Sequence, residues 1–148
     1  MGVKIALGAD HAGFEVKDAI ARRLASLGNE VVDCGTSSRD SVDYPDYAAA
    51  VARKVASGDC ARGVLVCGTG IGVAMAAGKV PGVRAATVHD RFTAQMSREH
   101  NDSNVLCLGA RVLDPRHAVE LAEFWISVPF AGGRHERRVR KIDALGGG

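Results

Sequence analysis

A cysteine heads a glycine-rich turn in Cys67-Gly68-Thr69-Gly70-Ile71-Gly72. Glycines let the backbone turn sharply and direct its N–H groups inward, making a nest for negative oxygen where a helix begins. The same field favours thiolate over thiol, so Cys67 can act as a base or nucleophile near neutral pH. An isolated cysteine is more often just a small buried apolar residue. Its place between a strand end and the turn is what argues for chemistry. The loop also invites a dinucleotide reading, with Asp90 at about the right distance past the next strand. That reading fails at the third glycine, where Val73 stands, and on the two strands left to follow, too few for a full half of such a fold. It is not a P-loop either, because no Gly-Lys-Ser/Thr follows.

Other candidates are scattered along the chain. Asp10 and His11 precede Ala12-Gly13. An acid beside an imidazole can orient a hydroxyl or meet a phosphate, although Asp10 also reads as the N-cap of a first helix. Arg134 and Arg138 are four apart, so on a helix they share a face and can grip a phosphate together. His135, Arg137, Arg140 and Lys141 fall elsewhere around that helix, and a solvated basic helix is the plainer alternative. His100, in Ser-Arg-Glu-His-Asn-Asp, ends a helix. It can pair with the helix dipole or relay protons near neutral pH.

These residues need a scaffold. Short apolar runs, without polar alternation, predict strands at Val3–Ala9, Glu30–Cys34, Gly63–Cys67, Arg84–Val88 and Val105–Leu108, all buried on both faces. Amphipathic stretches predict helices at Phe14–Leu27, Tyr47–Ala56, Arg91–Glu99, Pro115–Ile126 and Arg134–Leu145, with a further helix opening after the glycine turn. Asp114 before Pro115 supplies a cap and first turn. The alternation predicts an α/β chain: a three-layer α/β/α sandwich around a five-stranded parallel sheet, Rossmann-like, in a single domain over residues 1–148. In such a sheet ligands collect beyond the carboxyl ends of the strands. Asp10 and His11, the glycine turn, His89 with Asp90, and Gly109 with Arg111 all follow strands, whereas His100, Asn101 and Asp102 precede the fifth.

Composition bounds the function. The chain has 148 residues, 47% hydrophobic and 24% charged, with 19 Lys and Arg against 17 Asp and Glu for a formal net charge of +2. That balance implies neither nucleic acid nor membrane as partner. No segment approaches the roughly 18 apolar residues of a span, and the start reads as no signal peptide, so a cytoplasmic place is expected. Cysteines at 34, 60, 67 and 107 lack CxxC spacing, so reduced thiols are expected and no metal site.

Six stretches then carry a resemblance: GADHAGF at 8–14, SVDYPDYA at 41–48, VCGTGIG at 66–72, SREHND at 97–102, LGAR at 108–111 and GGRHERRV at 132–139. Together they run nearly the whole chain, and it resembles the type B ribose-5-phosphate isomerases and their relatives acting on allose and galactose 6-phosphates. The resemblance implies an aldose–ketose isomerase that passes through an enediolate with no metal or redox cofactor. It implies Cys67 as the proton-transferring base and Thr69 with the backbone of Gly68, Gly70 and Gly72 as the anion hole. It further implies His100 as the group that helps open the sugar ring and Asp10 as its assistant. His11, Arg134 and Arg138, joined by Arg111, match phosphate contacts, and Tyr44 and Asn101 match the lining of the sugar pocket. A homodimer with shared pockets, or a tetramer of paired dimers, is implied as well. One subgroup replaces the cysteine by serine and uses a glutamate in the next turn; Gly72-Val73 offers no carboxylate, so the chain looks like the cysteine-using kind. Ala77-Gly78-Lys79 departs from the family's usual Ala-Asn-Lys. Ribose 5-phosphate, a six-carbon sugar phosphate and a four-carbon analogue stay open as substrates, and a non-catalytic nucleotide- or phosphate-binding module is the rival reading.

Overall fold

Runs of Val, Leu, Ala and Cys cannot stay in water, and in the computed structural model, which describes residues 2–146, they form one five-stranded sheet. The elements in order are β1 (Lys4–Ala9), α1 (Phe14–Ser26), β2 (Glu30–Asp33), α2 (Tyr44–Ala56), β3 (Arg62–Cys67), α3 (Ile71–Ala77), β4 (Ala85–Thr87), α4 (Arg91–Glu99), β5 (Val105–Gly109), α5 (Pro115–Ser127) and α6 (Arg134–Leu145). All pairings are parallel, in the order β2-β1-β3-β5-β4. Register sets Ala9 opposite Val66 and Cys67 opposite Gly109, so the carboxyl ends of β1, β3 and β5 lie side by side.

Side chains alternate across the sheet and so feed two cores. Ile5, Leu7, Val64, Val66, Leu106 and Leu108 pack on one face against α1, α4 and α5, around the fully buried Trp125. Ala6, Leu65, Cys67, Val105 and Cys107 pack on the other face against α2 and α3. This is the three-layer sandwich that strand–helix alternation predicts. Burial on both faces holds for β1, β3 and β5 but not for the edges: β2 exposes Glu30 and Asp33, and β4 is half-buried throughout. An edge strand lacks a neighbour on one side, so the layers above and below do not close over it. α2 begins at Tyr44, three residues before the predicted Tyr47, because Pro45 suits the first helical turn, where no N–H is needed. Among the described residues no helix is long and apolar enough to cross a membrane.

The chain leaves β1 toward β2 on one side, and β3 then pairs with the other side of β1. That reversal opens a crevice at the carboxyl ends of β1 and β3, where open α/β sheets hold ligands. Behind it lies Lys17 of α1, 0% exposed, whose Nζ donates to Asp33 Oδ1 at 2.7 Å and to the carbonyl of Thr36 at 2.8 Å. The 33–36 turn is fixed in this way against Ala9, which exchanges backbone hydrogen bonds with Gly35 and Thr36 at 2.8 Å each. Lys17→Met removes both hydrogen bonds but leaves Asp33 free to hydrate. A loss of about 2 kcal/mol in unfolding free energy is expected, read as a lower urea midpoint at unchanged slope.

Candidate active site

At the mouth of the crevice, Asp10, Tyr44, Cys67, Gly68, Thr69, Ile71, Gly72, Met75 and Arg111 line an open cleft of about 450 Å³. Cys67 is 5% exposed, and its Sγ accepts from the Gly70 N–H at 3.3 Å. An amide aimed at sulfur makes a stronger bond when that sulfur carries charge. Burial pushes the thiols of Cys34, Cys60 and Cys107 up, that of Cys107 with repulsion from Cys67 added, so they stay protonated at neutral pH. All four cysteines are free, as their spacing predicts.

The geometry of the turn depends on Gly70, whose φ of 78° lies in the left-handed region and whose added Cβ would stand 2.9 Å from the Leu108 carbonyl carbon. Thr87 at the end of β4 donates to the Gly70 carbonyl at 2.9 Å and so holds the peptide that follows the one whose N–H meets the sulfur. Sequence reasoning missed Thr87; only the position of β4 in the sheet brings it near. Gly72 leaves room for Tyr44, since a Cβ there would lie 2.6 Å from the tyrosine ring. The Thr69 hydroxyl accepts from the Ile71 N–H at 3.2 Å, which leaves its own proton to donate into the cleft. Gly70→Ala adds both strain and a backbone clash. Its kcat is expected to fall about 10²-fold, in the range of losing one oxyanion donor, with less change in KM in steady-state assays.

Asp10 is 7% exposed, and its Oδ1 accepts from the N–H groups of Ala12 and Gly13 at 3.0 and 3.1 Å. It closes the turn before α1 rather than capping the helix, where Gly13 holds the N-cap position. His11 Nδ1 accepts from the Val42 N–H at 3.2 Å, so the neutral ring carries its proton on Nε2. The Arg111 guanidinium reaches back over Gly68, where a Cβ would stand 3.3 Å from Nη1. Asp90 caps α4 by accepting from the Thr93 N–H at 2.7 Å, which holds its carboxyl below the usual range. A carboxylate committed in this way removes the acidic partner of the dinucleotide reading.

The remaining candidates lie elsewhere. His100 caps the carboxyl end of α4 with its N–H on Met96 O at 2.9 Å, and Asn101 follows it. Both precede β5, at the amino end of the sheet, while Cys67 faces Gly109 at the carboxyl end. Five residues of strand separate the two ends, roughly 15 Å. Arg134 and Arg138 are exposed on α6, near His100 rather than Cys67, because the His135 ring stacks on that of His100 with centroids 4.1 Å apart. Spacing had set His135 apart from the functional face, yet it meets His100 directly. Burial, then the charges of His100, Arg134 and Arg138, hold the His135 imidazole below its ordinary pKa. Each chain thus places the two groups of candidate residues at opposite ends of one sheet.

Residues 5–142 match the family described as Ribose/Galactose Isomerase. Ribose-5-phosphate isomerase B of Escherichia coli (strain K12) is 45% identical, with 96% of this chain and 95% of that protein covered. The solved ribose-5-phosphate isomerase B of Clostridium thermocellum superposes with a TM-score of 0.94 at 48% identity, covering 96% of each chain. The type B ribose 5-phosphate isomerase of Trypanosoma brucei gives 0.93 at 48% identity, covering 98% of this chain and 99% of that one. With a match of this extent and a nearly superposable sheet, the chain belongs to the ribose/galactose isomerase family.

Proposed function

We propose that this aldose–ketose isomerase interconverts ribose 5-phosphate and ribulose 5-phosphate through an enediolate, with Cys67 as the base. The observation that carries the residue assignment is the Cys67 sulfur, set in an open cleft beside a fixed glycine turn. The names of the relatives support the substrate.

The closed sugar hides its carbonyl, so the ring oxygen must first gain a proton while the anomeric hydroxyl loses one. His100 and Asp10 serve this step. The Cys67 thiolate then takes the proton from C2, and the charge moves to O1. There Thr69 and the amides of the turn receive it, without reorganising, as it forms. A proton passes from O2 to O1, and the Cys67 thiol returns its proton to C1, which gives the ketose. Arg134, Arg138, His11 and Arg111 hold the phosphate, whose binding energy keeps C2 against the sulfur, while Tyr44 and Asn101 line the sugar.

This reading needs two copies of the chain, because His100, Asn101 and the α6 arginines lie a strand length from Cys67 in any one copy. A homodimer with shared sites follows, each chain serving as one isomerase domain. A thiol base also needs a reducing compartment, so the enzyme belongs in the cytoplasm, in carbohydrate metabolism of the pentose phosphate kind.

The test is direct. Purified enzyme in the presence of a chelator is expected to convert ribose 5-phosphate, with kcat/KM above that for allose 6-phosphate, galactose 6-phosphate or a four-carbon aldose phosphate. A higher kcat/KM for a six-carbon substrate would move the assignment, and inactivity on all four would refute it.

A further inference from the structure

Asp102 has a φ of 46°, the one positive value outside glycine among the described residues. Asp tolerates this region better than most residues, yet a site that keeps it there is over-determined by its surroundings. The surroundings are two arginines from different elements. Arg98 of α4, buried, donates from Nη1 to Asp102 Oδ1 at 2.8 Å, and Arg84 beside β4 reaches Oδ2 at 3.5 Å and donates from Nε to the Asp102 carbonyl at 2.8 Å.

Both arginines are themselves held. Arg98 donates to the carbonyls of Val128 and Ser103 at 2.9 and 2.6 Å. The Ser103 hydroxyl is bonded in turn to Trp125 Nε1 at 2.9 Å and to Ser97 Oγ at 3.0 Å. Arg84 Nη1 donates to both carboxylate oxygens of Asp143 in α6, at 3.1 and 3.2 Å. On the other side of the tip, the Glu99 carbonyl accepts from the Ala131 N–H at 3.1 Å. Only His100 and Asn101 lie between these two fixed points, and the guanidinium that holds Asp102 also ties down the helix whose His135 stacks on His100.

We propose that Asp102, gripped by Arg84 and Arg98, is a positioning residue for the ring-opening group His100. Its carboxylate has no part in the proton transfer between C1 and C2. The inference rests on the isomerase reading above and on the role given there to His100.

Two reactions of the enzyme separate the steps. Turnover of ribose 5-phosphate needs ring opening. Exchange of a C1 proton of ribulose 5-phosphate for solvent deuterium does not, because that ketose, esterified at O5, cannot close a five-membered ring. The exchange breaks a C1–H bond and forms a C1–D bond through Cys67 alone. Asp102→Asn keeps the shape and loses the charge, whereas Asp102→Gly relieves the backbone and loses the carboxylate; Arg84→Met removes one grip. Each is expected to lower ribose 5-phosphate turnover about 10²-fold, the cost of misplacing a catalytic group by about 1 Å, while exchange stays within about threefold of wild type. A parallel loss in both reactions, whether or not the variant keeps the wild-type far-ultraviolet spectrum, would overturn the proposal, as would full turnover in Asp102→Gly. A wild-type protein that neither isomerises nor exchanges would instead refute the isomerase reading.

Discussion

Cys67→Ala is expected to lose about 10³-fold in kcat while KM stays within about twofold of wild type. Cys67 is 5% exposed and its sulfur is held by one amide, so the loss of that sulfur leaves a small gap at the edge of the cleft and little structural change. The proposed phosphate and sugar contacts lie on other residues, so binding is expected to survive. Cys107 is the natural control. It sits on the same face two residues before Gly109, and burial keeps its thiol protonated, so Cys107→Ala is expected to alter stability more than turnover. Measured kcat for the two variants decides the matter. If Cys67→Ala kept more than a tenth of wild-type turnover, the proton transfer would have to be reassigned.

The double variant Arg134→Ala/Arg138→Ala is expected to lose about 10³-fold in kcat/KM. Each charge-assisted bond to a phosphate contributes about 1.5–3 kcal/mol, and each 1.4 kcal/mol is tenfold. Arg140 pairs with Glu136 on the same helix, whereas Arg134 and Arg138 have no carboxylate partner among the described residues. Their charges are therefore available to a ligand. Because a phosphate anchored there would also hold C2 in place, kcat should fall along with the rise in KM. Inorganic phosphate gives a second readout, since its inhibition constant should rise in parallel. A change confined to thermal stability, with unaltered kinetics, would mark α6 as a solvated helix only.

Much of this was legible in the residues themselves. Strand and helix order, the glycine turn after β3 and the Asp114 cap all followed from local pattern, because backbone sterics and burial act on neighbours in sequence. Long-range placement was less accessible. Spacing within α6 paired Arg134 with Arg138 but could not reveal that His135 stacks on His100, since that contact depends on how the 128–133 segment returns past α4. Thr87 escaped notice for the same reason: a lone threonine ending a short edge strand carries no local mark of the carbonyl it holds. The position of His100 ahead of β5, by contrast, is explicit in the sequence, and a parallel sheet turns that order into a separation from Cys67. Asp102, read only as part of a motif, gained meaning from its backbone angle and its two arginines.

The proposed division of the active site between two chains is tested most directly by mixing two dead enzymes. Cys67→Ala and His100→Asn subunits, each nearly inactive alone, are to be co-expressed with different affinity tags so that the hybrid can be isolated. Random mixing makes about half of the dimers hybrid, and one of the two sites in each hybrid draws an intact sulfur from one chain and an intact imidazole from the other. The mixture is then expected to recover about a quarter of wild-type turnover, and the isolated hybrid about half. A purified hybrid no more active than its parents would contradict a site built from two chains.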